Sequence, residues 1–154
     1  MDASEFKHLT GKLLVGGIID IYDKTVVLGY GKKENKELVL NTIKKRMALG
    51  KPEKLHSDRG SSNMSLVVKE LLDEHEITRS MSAPHSPHEN QYIETFWKNA
   101  KTEIGNTRNM TRDQLVMVLD YYAYYYNEER IHSSIGYLTP NQKRSLSLGA
   151  PSER

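Results

Sequence analysis

Apolar positions along the first thirty residues come in short runs separated by turn-forming pairs, which predicts strands. Residues 5–8 read as a short extended piece. Lys12 to Tyr22 (KLLVGGIIDIY) is nearly continuous in apolar character, as in a central strand covered on both faces. Asp23-Lys24 can turn the chain into Thr25 to Tyr30, which is rich in β-branched residues. Three successive strands with short connections predict an antiparallel meander.

The period then lengthens. Val39, Ile43 and Met47 recur every fourth residue within Asn35 to Leu49, a helical spacing that Gly50 and Pro52 end. Lys54 to Ser57 reads as a short strand. Met64, Val67, Val68, Leu71 and Leu72 form one helical stripe, and Ile77 to Met81 is another short strand. Ser86-Pro87-His88-Glu89 has a capping serine, a proline at the first helical position and a glutamate three residues after the cap. It predicts a helix from Pro87 to about Ile104, ended by Gly105-Asn106. Thr111 and Gln114 form a second capping box, with Met110 and Leu115 as its hydrophobic staple. Leu115, Val118, Leu119, Tyr122 and Tyr126 make the buried stripe that follows. A meander followed by alternating helices and strands predicts an α/β domain with a mixed sheet and helices packed on it. No repeat or linker divides the chain. Residues 145–154 read as a frayed or disordered tail.

Composition narrows the reading modestly. A chain of 154 residues is long enough for one domain with a substantial core. Cysteine is absent, which removes disulfides and thiolate zinc sites and suits a reducing compartment. No apolar run approaches the roughly 18 residues of a membrane helix. A net charge of +2 is too small to establish a nucleic-acid partner by itself. Lys98, Lys101, Arg108 and Arg112 follow one another closely, either as a solvated helix face or as a surface for phosphates.

The candidate chemistry lies in carboxylates. Asp58 stands just past a short strand in His56-Ser57-Asp58-Arg59-Gly60. Thirty-five residues separate it from Glu94, which lies inside the predicted helix, and Asp2 stands near the first strand. Strand start, strand end and helix face can converge on one side of a sheet. Clustered carboxylates repel one another unless cations neutralise them, and magnesium or manganese favours such hard oxygen ligands. Two such ions about 4 Å apart can activate a water or 3′-hydroxyl and stabilise the leaving oxygen of a phosphodiester. Spacing alone is a weak signal, because the chain has 20 acidic residues and most are simply solvated.

Asn90, Glu94, Lys98 and Lys101 fall on one helix face, where the lysines can touch phosphates beside a metal-holding glutamate; an ordinary Glu–Lys helix pair is the plainer alternative. His56 and Arg59 either orient Asp58, contact phosphate or merely pack. Asp20 reads as structural. The tyrosines between Tyr121 and Tyr126 read as core and rim of a helix, not as a nucleophile. The six histidines show no zinc spacing.

Several motifs in order carry a resemblance. HSDRG, then the glutamate of Tyr92-Ile93-Glu94-Thr95-Phe96-Trp97, resembles the D,D-35-E pattern of the integrase core shared by retroviral integrases and bacterial insertion-element transposases. Residues 79–82, Asn90 and residues 98–103 resemble the stretch around that family's catalytic glutamate. Residues 125–132 and 135–140 resemble the end of the core in the bacterial transposases. Residues 1–6 and 18–22 resemble its first two strands.

The resemblance spans about residues 2 to 144. It implies a ribonuclease-H-like fold with a five-stranded mixed sheet, antiparallel meander then parallel strands, flanked by helices. It implies that Asp2, Asp58 and Glu94 are catalytic metal ligands, with two Mg2+ or Mn2+ ions as cofactors. It also implies that Lys98, Lys101, Asn90 and Arg59 contact DNA, and that a homodimer or larger assembly forms on element ends and target. The expected domain is residues 1–144 with a truncated first strand, because family members carry more residues and helical end-binding domains before the first aspartate. The expected activity is DNA cleavage and strand transfer in a bacterial cytoplasm, feeble in an isolated core. A nuclease of the same fold, or a decayed module that only binds DNA or assembles, is the alternative.

Overall fold

The computed structural model describes residues 1–83 and 90–149. In chain order its elements are β1 (Asp2–His8), β2 (Gly11–Ile19), β3 (Val26–Gly31), α1 (Lys36–Met47), β4 (Lys54–Ser57), α2 (Leu66–Glu74), β5 (Thr78–Met81), α3 (Gln91–Ile104), α4 (Arg112–Glu128), a 3-10 turn (Ser133–Ile135) and α5 (Pro140–Gly149). The meander is present: β1 and β2 pair antiparallel, as do β2 and β3. Asp2 stands opposite Gly17 in that register.

Central strand β2 is covered on both faces, and its side chains alternate accordingly. Leu13 and Val15 join Phe6, Val26 and Leu28 in a cluster closed by Ile93, Phe96, Trp97 and Ala100 of α3 and by Leu115, Leu119, Tyr122 and Tyr126 of α4. Ile18 joins the opposite cluster with Val39 and Ile43 of α1, Leu55 of β4, Val68 and Leu72 of α2, and Ile77. The two adjacent glycines of β2 allow this close approach. A Cβ on Gly16 would meet Thr42 of α1, and one on Gly17 would come within 2.6 Å of the Trp97 ring of α3. The backbone at Gly17 therefore fixes how closely α3 can lie to the sheet.

The expected continuous five-stranded sheet is corrected. The described strands form a three-stranded sheet, β1-β2-β3, and a separate parallel pair, β4-β5. Among the described residues a hydrogen bond from the Met1 amine to the His56 carbonyl, at 2.6 Å, links the first sheet to β4. One bond at the very start of β1 does not make a ladder, which needs successive residues side by side.

Other boundaries moved for local reasons. β1 starts at Asp2, not near Glu5, because its whole length finds partners on β2. α1 is capped by Asn35, whose side chain accepts from the Leu38 amide. Ser65 caps α2, so Met64 precedes the helix, and Met64 and Val67 are exposed instead of joining the stripe. The capping box expected at residues 86–89 lies outside the described residues, and α3 is described from Gln91 with Asn90 at its cap position. The Thr111 box forms in both directions. Residues 145–149, expected to fray, continue α5. Arg144 on that helix pairs with Asp23 at 3.1 Å and ties it to the β2–β3 turn.

Candidate metal centre and nucleic-acid face

Asp58 emerges directly after β4 and its carboxylate is held in place. Oδ1 accepts from the Gly60 amide at 2.9 Å and from the Asn63 side-chain amide at 2.7 Å. The first is the local turn that an aspartate readily makes two residues ahead. The second comes from a side chain only 8% exposed. Arg79 of β5 in turn donates to the Asn63 carbonyl at 2.7 Å, pinning that loop backbone to the sheet. Both donors converge on one oxygen, which leaves Oδ2 without either of these bonds.

Asp2 and Asp58 line one small recess of about 10 Å³, roughly one water-sized sphere, together with Glu34 and Asn63. Burial pushes the Asp2 carboxyl above its usual range. A backbone hydrogen bond from Ala3 opposes this, and the negative charges of Asp58 and then Glu94 push in the same direction as burial. Glu94 sits exposed in the first turn of α3, where the helix dipole favours a carboxylate. Its charge reaches Asp2, but it does not line the recess. Among the described residues, no three histidine or acidic side chains stand close enough together to enclose a metal ion. The donor chemistry nevertheless fits a hard divalent cation. The ligands are all oxygen, which is the donor set such a cation favours.

The remaining expected residues divide. Lys98 and Lys101 are exposed on α3, and the Lys101 ammonium lies 5.4 Å from the centre of the Phe6 ring, leaning toward β1. Asn90 makes no side-chain capping bond to α3. Arg59 donates from Nε to the Ser82 carbonyl at 3.0 Å, bridging the Asp58 turn to the segment after β5. His56 lies between two hydroxyls, with Nδ1 2.9 Å from Ser80 Oγ and Nε2 3.0 Å from Ser82 Oγ. Asp20 is structural, as read. It accepts from the Tyr22 and Asp23 amides and pairs with Arg46 at 3.0 Å. Tyr126 is buried, and burial pushes its phenol up to about 12, unsuited to a nucleophile at neutral pH.

Sequence reasoning missed Asn63 and Glu34. Gly60 two residues after Asp58 is a legible turn signal. Nothing in the spacing shows that Asn63 folds back onto Asp58, or that Glu34 approaches the same recess from the segment before α1.

Comparison with known proteins agrees with this architecture. Two family models, both described as integrase core domain, match residues 1–87 and 75–140. An uncharacterized transposase-like protein of Haemophilus influenzae is 31% identical over 96% of this chain and 70% of its own length. A probable transposase for insertion sequence element IS1353 of Shigella flexneri is 31% identical over 93% of this chain, which spans only 29% of that protein. The HTLV-2 integrase catalytic core domain, solved in complex with magnesium, superposes with a TM-score of 0.75 at 17% identity, covering 92% of this chain and 90% of that one. That likeness shows the α/β fold of integrase cores, whose ribonuclease-H-like arrangement the sequence implied. With one family model spanning more than half of its residues, this chain belongs to the integrase core domain family, in the form carried by the transposases of bacterial insertion elements.

Proposed function

We propose that this chain cleaves DNA at the ends of a mobile element and joins them to target DNA, with Asp2, Asp58 and Glu94 holding the divalent metal. The observation that carries the reading is geometric. Asp2 of β1 and Asp58 just after β4 line one recess, and Glu94 stands on α3, which packs on the same meander. A bound cation relieves the mutual repulsion of clustered carboxylates.

Magnesium or manganese, as two ions, would activate the attacking water or 3′-hydroxyl and stabilise the leaving oxygen. The protein's own part is to hold the ligands and the strand. Gly60 and Asn63 fix Asp58 so that Oδ2 is its free ligand atom. Glu94 is carried on a helix packed against β2 through Trp97. Lys98, Lys101, Asn90 and Arg59 contact the DNA, with the two exposed lysines on the side of α3 next to Glu94. Residues 1–144 constitute the catalytic core in this reading, although α5 itself extends to Gly149. Two or more copies assemble on the DNA. The setting is a bacterial cytoplasm; no helix among the described residues is long and apolar enough to cross a membrane.

The test is strand cleavage and joining on oligonucleotide duplexes with magnesium or manganese, using this chain and a form extended to the length of its relatives. Asp58→Asn and Glu94→Gln should each abolish both steps. Activity that survives both changes would refute the assignment. Cleavage of RNA in a hybrid, without action on DNA, would move the chain to the nuclease reading.

A further inference from the structure

A second recess of about 320 Å³ lies beside α3, against the chain that follows α4. Three elements build it. Gln91, Thr95 and Asn99 come from one face of α3, at four-residue intervals. Arg130 and His132 come from the chain just after α4, and Lys24 from the β2–β3 turn. Among the described residues that line it there is no carboxylate; amide, hydroxyl and cationic groups face it instead.

Lys24 is unusual for a lysine. It is 8% exposed and has φ of 66°, a left-handed conformation that strains a non-glycine residue. The turn enforces it: the Lys24 amide donates to the Asp20 carbonyl at 2.9 Å, and the Thr25 amide donates to Asp23 Oδ1 at 2.8 Å. Its ammonium donates to the Ile21 carbonyl at 2.5 Å and lies 3.9 Å from the centre of the Tyr92 ring. One bond and one ring face leave a proton of the ammonium for the recess. Arg130 pairs with Glu103 at 3.0 Å, which engages part of a fork that has five donors. Burial lowers the Lys24 pKa below its ordinary range, and the charges of Asp20 and Asp23 oppose this.

We propose that this recess is a phosphate site that takes a backbone phosphodiester of the DNA strand leaving the metal centre. Thr95 directly follows Glu94 in α3, so its face adjoins the one that carries the catalytic carboxylate. A strand held at Glu94 passes along α3 into the recess, whose Gln91 and Thr95 stand seven and three residues before Lys98. The strand's identity as DNA rests on the transposase reading; the anion site does not.

The test separates the two. Inorganic phosphate is titrated into 15N-labelled protein in EDTA, and a fluorescent oligothymidylate is bound in EDTA at several salt concentrations. Amide shifts should centre on Lys24, Thr95, Asn99 and His132. Lys24→Met should weaken oligonucleotide binding about fivefold at low salt and make the log–log salt slope shallower by about 0.7, the value of one phosphate contact on a single strand. Lys24→Arg should retain both. Because Lys24 also braces the turn, Thr95→Val with Asn99→Ala gives a second version that leaves the turn intact and should weaken binding in the same direction. Phosphate shifts elsewhere, or unchanged affinity and slope in both variants, would overturn the proposal. Asp58→Asn, which removes a negative charge beside the strand, should not weaken binding in EDTA while it ends strand transfer. Phosphate binding that persists in a chain inert on DNA would therefore sink the transposase reading alone.

Discussion

Asn63→Ala isolates what holds Asp58 in place. The asparagine amide is 2.7 Å from Asp58 Oδ1 and its side chain is nearly buried, so the bond is short, charge-assisted and poorly replaced by water. A hydrogen bond to a charged group contributes about 1.5–3 kcal/mol. The Gly60 amide still serves the same oxygen, so the loss should lie near 1.5 kcal/mol. For a chain of this size that corresponds to a fall in melting temperature of about 3–6 °C. Arg79 holds the Asn63 backbone, not its side chain, so the loop stays anchored and the effect is confined to the carboxylate. Without the asparagine, Asp58 must be ordered by the metal itself. The magnesium or manganese needed for half-maximal thermal stabilisation should then rise about tenfold, equivalent to about 1.4 kcal/mol. The assay is a melting series across metal concentration for wild type and variant. A lower melting temperature with an unmoved metal curve would refute the positioning argument and leave Asn63 as a packing residue.

Three further outcomes follow from the same geometry. Asp2 has a raised folded-state pKa, so the native state holds its proton longer than the unfolded chain; without metal, stability should fall as pH rises from the ordinary carboxylate range through the raised value. Asp2→Asn should remove that slope in metal-free melting curves at pH 4–7 and should also cancel metal stabilisation. Asp20→Ala should cost about 3–5 kcal/mol, because it strands Arg46, which is 5% exposed, and frees two turn amides; denaturant unfolding measures this, and the metal concentration dependence should not change. Gly17→Val should cost about 1–3 kcal/mol by driving a side chain into Trp97, and the emission of this single tryptophan should shift.

Much of the framework was legible because it rests on local chemistry. The meander follows from β-branched runs, and the cap at Thr111 from a short side chain that satisfies a free amide. β4 could be read to the residue, since Pro52 and Asp58 bracket it. α5 could not. Pro140 is its only buried residue, and Leu146 and Leu148 are exposed, so no apolar stripe marks it. The positions of Asp2, Asp58 and Glu94 were found by resemblance, and spacing alone would not have found them. Asn63 and Lys24 were illegible as site residues for a different reason. Their partners come from the tertiary fold: Asn63 has Arg79 behind it, and Lys24 is packed under Tyr92 of α3.

Among the described residues the meander and the β4–β5 pair abut along a seam held by the Met1–His56 backbone bond and by the shared apolar cluster of Ile18, Leu55 and Ile77. Asp2 stands on one bank and Asp58 just off the other. Any breathing of the seam changes the gap between the two carboxylates. A cation bridging them would work as a rivet, coupling the opening of the joint to release of the ion. Amides flanking the joint should therefore trade deuterium more slowly as magnesium rises, while those deep in the meander keep their pace.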